Sequence, residues 1–418
     1  MREGAAEEMG DRDFPKHFVW GAATCPACCE GETVSDWAKL SAPDGSVPDD
    51  GPRHWRRYRY DFRAMADLGL GAYRFGLDWG RLQRAPYGDL SREDTFRYLE
   101  MLAELRGLGI EPWLTLFHNA LPRWASRAGG RLNPEAPYWF ADFARRLADV
   151  TDGEVGHWLT VHEPQMYALA CYAWGAFPGG AWGRLDQARK ALSALKKAHR
   201  LAAAAVRKRL PGARVGLSLP GGCFFPGRAW HPGDWLAAVA SDWLLNNFGM
   251  RGFMSGDGAC DFLMIGVGNE LPVRAGDSLS LSAGVARQVH ARMLHEGGGN
   301  VASGRRRKRL SAWLRKHRLP VYLVGAVPDA EQGGLDELLS AYAGMAGPGA
   351  ASGFFYEPLL DQFDVHRGLT AGHGLLRVDF HGQERRRDIR QFARRFGRVA
   401  RTGRLRETGG RDNGGAKG

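Results

Sequence analysis

The chain has 418 residues, 44% hydrophobic and 11% aromatic, enough for one large core and within the size at which an α/β barrel folds as a single unit. Its formal charge of +11 is carried mainly by arginine in runs at 305–309, 385–387 and from Arg394 onward. These runs lack interleaved aromatics and zinc-ribbon spacing, so they read as solvated faces and no nucleic-acid partner is expected.

The opening residues Met1 to Glu8 are acidic, without the apolar stretch of a signal peptide. No run reaches the ~18 apolar residues of a membrane span. Six cysteines without disulfide-framework spacing point to a reducing, cytoplasmic location and no membrane partner.

Residues 1–12 and 401–418 are polar and aperiodic, and read as disordered ends around one domain at 13–400. Apolar runs at 18–22, 72–77, 111–116, 157–161, 214–219, 262–267, 321–324 and 353–355 are predicted strands. Helical patterns lie between them. Trp55, Tyr58, Phe62, Met65 and Leu68 recur every three or four residues on one helix face. Phe96, Leu99, Leu102 and Leu105 recur every three residues along 92–108, with Gly109 as a stop. Further helices are expected at 188–209, 333–345 and 388–399. The stretch 268–304, rich in Gly and Ser, reads as a long surface loop. Strand–helix alternation repeated eight times predicts a single α/β (β/α)8 TIM barrel with reactive groups at the carboxyl ends of its strands.

The peptide Thr160-Val161-His162-Glu163-Pro164 carries the clearest chemistry. Proline ends the strand and leaves the Glu163 side chain free to enter the barrel mouth. A carboxyl desolvated in an aromatic cleft has a raised pKa and suits proton donation near neutral pH. The plainer reading is an exposed glutamate at a helix start.

Several peptides resemble glycoside hydrolase family 1, the β-glucosidase and β-galactosidase group of retaining barrels. They are the opening run Phe14 to Thr24 with Glu30-Gly31, Tyr73-Arg74-Phe75 with Trp79 and Arg81, and Gly109 to Pro112 continuing through Thr115 to His118. Thr160 to Pro164 and Leu359 to Asp364 follow in the family's order. The resemblance implies that Glu163 is the acid/base of a saccharide-processing site, and no cofactor is expected.

The departures are as informative. Where the family has its seventh-strand nucleophile, this chain has Gly325, so conventional retaining chemistry is not expected. Arg74, which the resemblance sets beside that nucleophile, needs another anion, because an unpaired buried guanidinium is costly. Glu357, in place of a family tryptophan, is the candidate partner or a base that places a water; it also reads as a surface glutamate. The sugar-binding shell carries Cys28 for glutamine, Asn119 for tryptophan beside a retained His118, and His162 for asparagine. Val267 stands near the expected tyrosine, Val365 replaces a tryptophan, and Asp364 is a shortened glutamate.

Glu163 and Glu357 are therefore the candidate catalytic pair. Cys28, Arg74, His118, Asn119, His162 and Asp364 are the candidate saccharide-binding residues. Three functions follow: altered glycoside chemistry (non-retaining or transfer), a catalytically silent barrel that binds a saccharide or a protein partner, or a metal-dependent enzyme using Cys28, His118 and His162. The last reading competes with a small buried cysteine and a hydrogen-bonded core histidine.

Overall fold

The structure, a computed structural model, describes residues 12–221, 223–244, 253, 260–266, 270–275, 319–326, 334–343, 351–369 and 372–405. Eight strands carry the architecture: β1 (Val19–Thr24), β2 (Ala72–Gly76), β3 (Glu111–Phe117), β4 (His157–Val161), β5 (Arg214–Leu219), β6 (Phe262–Gly266), β7 (Val321–Gly325) and β8 (Ala351–Tyr356). All pair in parallel, and β8 returns to β1 with Gly353 opposite Val19, closing the barrel. The fold is a single (β/α)8 barrel, as the alternation predicts.

Alternation along the strands sends every second side chain inward. Ala23, Ala72, Trp113, Leu159, Phe262, Met264, Tyr322, Val324 and Phe355 fill the interior. Trp113 is the hub, with ring centroids of Tyr322, Phe355 and Phe262 at 4.7, 5.0 and 5.1 Å. Room for so large an interior comes from small residues. A Cβ on Gly21 would lie 2.5 Å from the Phe355 ring, so only glycine fits there. The other strand faces pack against helices in a second, larger core.

The main helices are α1 (Pro26–Cys29), α2 (His54–Leu68), α3 (Arg92–Gly107), α4 (Ala136–Thr151), α5 (Leu185–Arg209), α6 (Pro232–Asp242), α7 (Gly334–Ala343) and α8 (Gln391–Thr402). In α2 all five residues of the predicted face are buried. In α3 the face differs. Tyr98, Met101, Leu102 and Leu105 are buried, but Phe96 is 65% exposed. At about 100° per residue, nine positions rotate by about half a turn, so Phe96 and Leu105 point to opposite sides.

Other expectations are corrected. Arg12–Asp13 pairs with Arg404–Leu405, and Phe14 N donates to the Gly403 carbonyl at 2.7 Å. The ends drawn at 12 and 401 therefore cut through ordered chain, held by aromatic packing of Phe14 on Phe18 and Trp20 and of Trp20 on Phe396. The helix expected at 388–399 starts later, because Arg387–Ile389 forms a strand with Leu376–Val378. Within the expected loop 268–304, Glu270–Val273 pairs with Cys223–Pro226; the rest, beyond 275, lies outside the described residues.

The run Arg385-Arg386-Arg387 is not a wholly solvated face. Arg387 is buried, and its Nε donates to Asp61 Oδ1 at 2.8 Å. Asp61 also meets His54 Nδ1 at 2.7 Å. The run at 305–309 lies outside the described residues. Among the described residues no helix is long and apolar enough to cross a membrane.

Candidate active site

The carboxyl ends of β2, β3, β4, β7 and β8 bring most of the candidate residues together. Arg74, in β2, alternates inward and is fully buried. Past β4 the chain is tied on both sides: His162 N donates to the Phe117 carbonyl at 2.9 Å and Glu163 N to that of Ser218 at 3.0 Å. Glu163 has φ 41° and ψ 63°, the left-handed region that disfavours a side chain. Its carboxyl turns toward Gly266, where a Cβ would lie 2.7 Å from Oε1. Gly266 is the residue that reading the sequence missed. It ends an ordinary apolar strand, and nothing in that strand signals the close approach.

Opposite, Glu357 follows β8. Its N–H donates to the Gly325 carbonyl at 3.1 Å, and its carboxylate forms an ion pair with the Arg74 guanidinium. Arg74 is fully enclosed, whereas the Glu357 side chain is 17% exposed. The position that lacks a side chain thus has a carboxylate beside it, from the neighbouring strand.

The same guanidinium meets both imidazoles. Arg74 Nη1 lies 3.4 Å from His118 Nδ1 and 3.4 Å from His162 Nδ1, and the two rings are 3.9 Å apart. Burial, and then the adjacent positive charge, hold both histidines well below their usual pKa, so both are neutral. Burial, with a further push from the Glu357 charge and against the pull of Arg74, raises the Glu163 carboxyl to about 7. The site holds one fixed cation, one carboxylate paired with it, and one carboxyl that is protonated below neutral pH.

The remaining candidates divide. Asn119, at φ 65°, accepts the Trp37 indole N–H on its carbonyl at 3.0 Å. Its buried Oδ1 has no hydrogen-bond partner among the described residues, which leaves an acceptor for a ligand. Asp364 is committed to its own loop, where Oδ1 accepts from His366 N at 2.8 Å and Arg367 N at 3.0 Å. Cys28 directs its thiol to Cys25, with Sγ to Sγ at 2.7 Å. Val267 lies outside the described residues.

The metal set is not assembled: among the described residues no three His, Cys, Asp or Glu side chains come close enough to hold an ion. Both Nδ1 atoms face a guanidinium, whose charge repels a cation, and the Cys28 sulfur is taken up by Cys25.

The model of glycosyl hydrolase family 1 matches residues 11–263. The chain belongs to this family. Beta-glucosidase A of Thermotoga maritima is 28% identical over 229 residues, 52% of this chain and 51% of that protein. Thermostable beta-glucosidase B of Thermobispora bispora is 35% identical over 190 residues, 42% of this chain and 39% of that protein. This family 1 chain thus spans about half the length, or less, of those curated relatives. In structure the likeness is longer. A family 1 β-glucosidase from Thermotoga maritima superposes with TM-score 0.79 at 20% identity, covering 95% of this chain and 100% of that one. The Alicyclobacillus herbarius enzyme AHE superposes with TM-score 0.78 at 21% identity, covering 92% and 98%. At these identities the superpositions establish the barrel, and the family match establishes descent.

Proposed function

We propose that this family 1 chain hydrolyses β-glycosides with inversion, Glu163 serving as general acid and Glu357 as the carboxylate that activates water. The observation that carries the reading is the Glu357–Arg74 ion pair beside Gly325. A carboxylate beside Gly325, ion-paired with a buried arginine and partly open to solvent, is placed to act as the base. Glu163, with its carboxyl raised to about 7, is a competent acid. Saccharide as ligand agrees with the relatives: one Thermotoga maritima β-glucosidase structure holds glucoimidazole and another deoxynojirimycin.

Inversion follows from the strand that supplies the second carboxylate. Inverting sites need about 6.5–9.5 Å between the carboxyls, to admit water, and retaining sites about 5–5.5 Å. A residue after β8 starts from a strand four places from β4, directly across an eight-stranded barrel, whereas β7 is three places away. A carboxylate from β8 rather than β7 therefore favours the wider, inverting arrangement, and this strand order supports the reading.

In the mechanism, Glu163 transfers its proton to the glycosidic oxygen as the bond to the leaving group stretches. Glu357, oriented by Arg74, takes a proton from water attacking the opposite face of the sugar. Neutral His118 and His162 and the Asn119 Oδ1 supply hydrogen-bonding groups around the ring. The deciding experiment is proton NMR of the first-formed product from a panel of aryl β-glycosides. An α-configured hemiacetal supports the reading, a β-configured one replaces inversion with retention, and no turnover across the panel overturns hydrolysis in favour of a saccharide-binding barrel.

A further inference from the structure

The first wall of the barrel mouth contains a group that glycoside chemistry does not use. The chain leaves β1 through Cys25-Pro26-Ala27-Cys28-Cys29, and the N–H groups of Cys28 and Cys29 both donate to the Cys25 carbonyl at 3.1 Å. That turn stacks residues 25 and 28 on one side, and the Cys28 thiol donates to Cys25 Sγ at 2.7 Å. A disulfide has its sulfurs at ~2.05 Å, with α-carbons about 4.4–6.8 Å apart. A short sideways movement of two side chains would close it. Cys29 is turned away, toward the Thr24 hydroxyl.

We infer that Cys25 and Cys28 are a redox-active dithiol that a small peroxide closes to an intramolecular disulfide. Both residues are buried, at 5% and 8% exposure, so a compact oxidant is the class that reaches them. Cys28 is the hydrogen-bond donor, and that bond together with burial keeps it a thiol. Cys25 is the receiving sulfur, and the first attack is assigned to it. Its sulfur bonds to one peroxide oxygen, the O–O bond breaks, and the departing hydroxide takes up the Cys25 thiol proton as water, leaving a sulfenic acid on Cys25. The Cys28 sulfur then attacks Cys25, the S–S bond forms, the S–O bond breaks, and a second water leaves. Two thiols are oxidised and one peroxide is reduced to two waters.

The position gives this chemistry a consequence. Pro26 is wedged against β2 at Gly76, where a Cβ would lie 2.5 Å from Pro26 Cδ and 3.2 Å from His118 Cβ. The Cys28 carbonyl receives the Phe363 N–H at 3.0 Å, one residue before Asp364. Closing the disulfide therefore fastens the segment on which two sides of the mouth rest. The inference is independent of the hydrolytic reading.

The test is peroxide titration of the full chain, followed by thiol alkylation and peptide mapping with and without dithiothreitol. Expected is joint loss of alkylation at Cys25 and Cys28, with the peptide lighter by two hydrogens and both thiols recovered on reduction. The Cys28→Ser variant should retain a sulfenic acid on Cys25 that dimedone traps, and Cys25→Ser should give no label on Cys28. A disulfide to Cys29, or intact Cys25 and Cys28 at peroxide levels that oxidise the more exposed Cys260, would overturn the inference from the parent protein alone.

Discussion

The two sides of the barrel mouth are built differently. On one side β2, β3 and β4 present Arg74, His118 and Glu163 from peptides that match the family in order. On the other, β7 ends in Gly325 and the carboxylate comes after β8, in a stretch beyond the family match at 11–263. Yet β7 pairs with both neighbours, Val321 opposite Leu263 and Gly325 opposite Tyr356, with one register shift against β8 between Val321 and Tyr322. Ladder hydrogen bonds are made by the backbone and tolerate any inward side chain that fits. Catalysis depends on particular side chains, so a barrel closes on its backbone ladder whichever residues its mouth carries.

The largest test of this contrast is on the retained side. Glu163→Gln should cost unactivated β-glycosides about 10²–10⁴-fold in kcat and substrates with good leaving groups much less. Equal loss on both would show that Glu163 is not the acid.

Next, two buried arginines distinguish structural from functional pairing. Arg387 and Asp61 are both fully enclosed, so Arg387→Ala leaves the buried carboxylate with His54 as its remaining side-chain partner and should destabilise the fold by about 3–5 kcal/mol in denaturant unfolding. Arg74→Met leaves Glu357, which still has access to solvent, and should cost less, about 1–3 kcal/mol. A larger loss at Arg74 than at Arg387 would reverse the assignment of roles.

A subtler test reads the two sides' electrostatic contact. The negative Glu357 raises the Glu163 carboxyl, so Glu357→Gln should move the Glu163 titration, followed by carbon-13 NMR, below about 7. An unmoved titration would mean that burial acts alone. The smallest effect is on stability. A carboxyl raised from 4.5 to about 7 binds its proton more tightly when folded. Its contribution is complete below about 4.5 and is lost as pH rises through about 7. Glu163→Gln should flatten stability across that window.

Most of the barrel is legible in the sequence because burial and strand period coincide: all eight apolar runs form strands, two of them, His157–Val161 and Arg214–Leu219, with the expected bounds. Phe96 is misplaced because a strict three-residue spacing drifts off a helix face. The buried Arg387 is misread because its partner Asp61 lies 326 positions away. In the site, Arg74's need for an anion points to Glu357 through the cost of an isolated charge. What stays hidden depends on where side chains turn. Asp364 bends into its own loop, Cys28 faces Cys25, and Gly266 leaves a hollow for Glu163, none of which composition or spacing encodes.

The left-handed backbone at Glu163 also bears on what this protein needs. Glycine adopts φ 41° without penalty, whereas a glutamate there holds a strained conformation that costs of order 1–3 kcal/mol. A scaffold optimised only to stand would be better served by a glycine at that position. This chain instead keeps an ionisable group on an uncomfortable backbone, next to a second charge, and accepts a less stable fold for it. The strain and the raised carboxyl meet in one residue, left-handed in its backbone and buried beside Glu357 at its carboxyl.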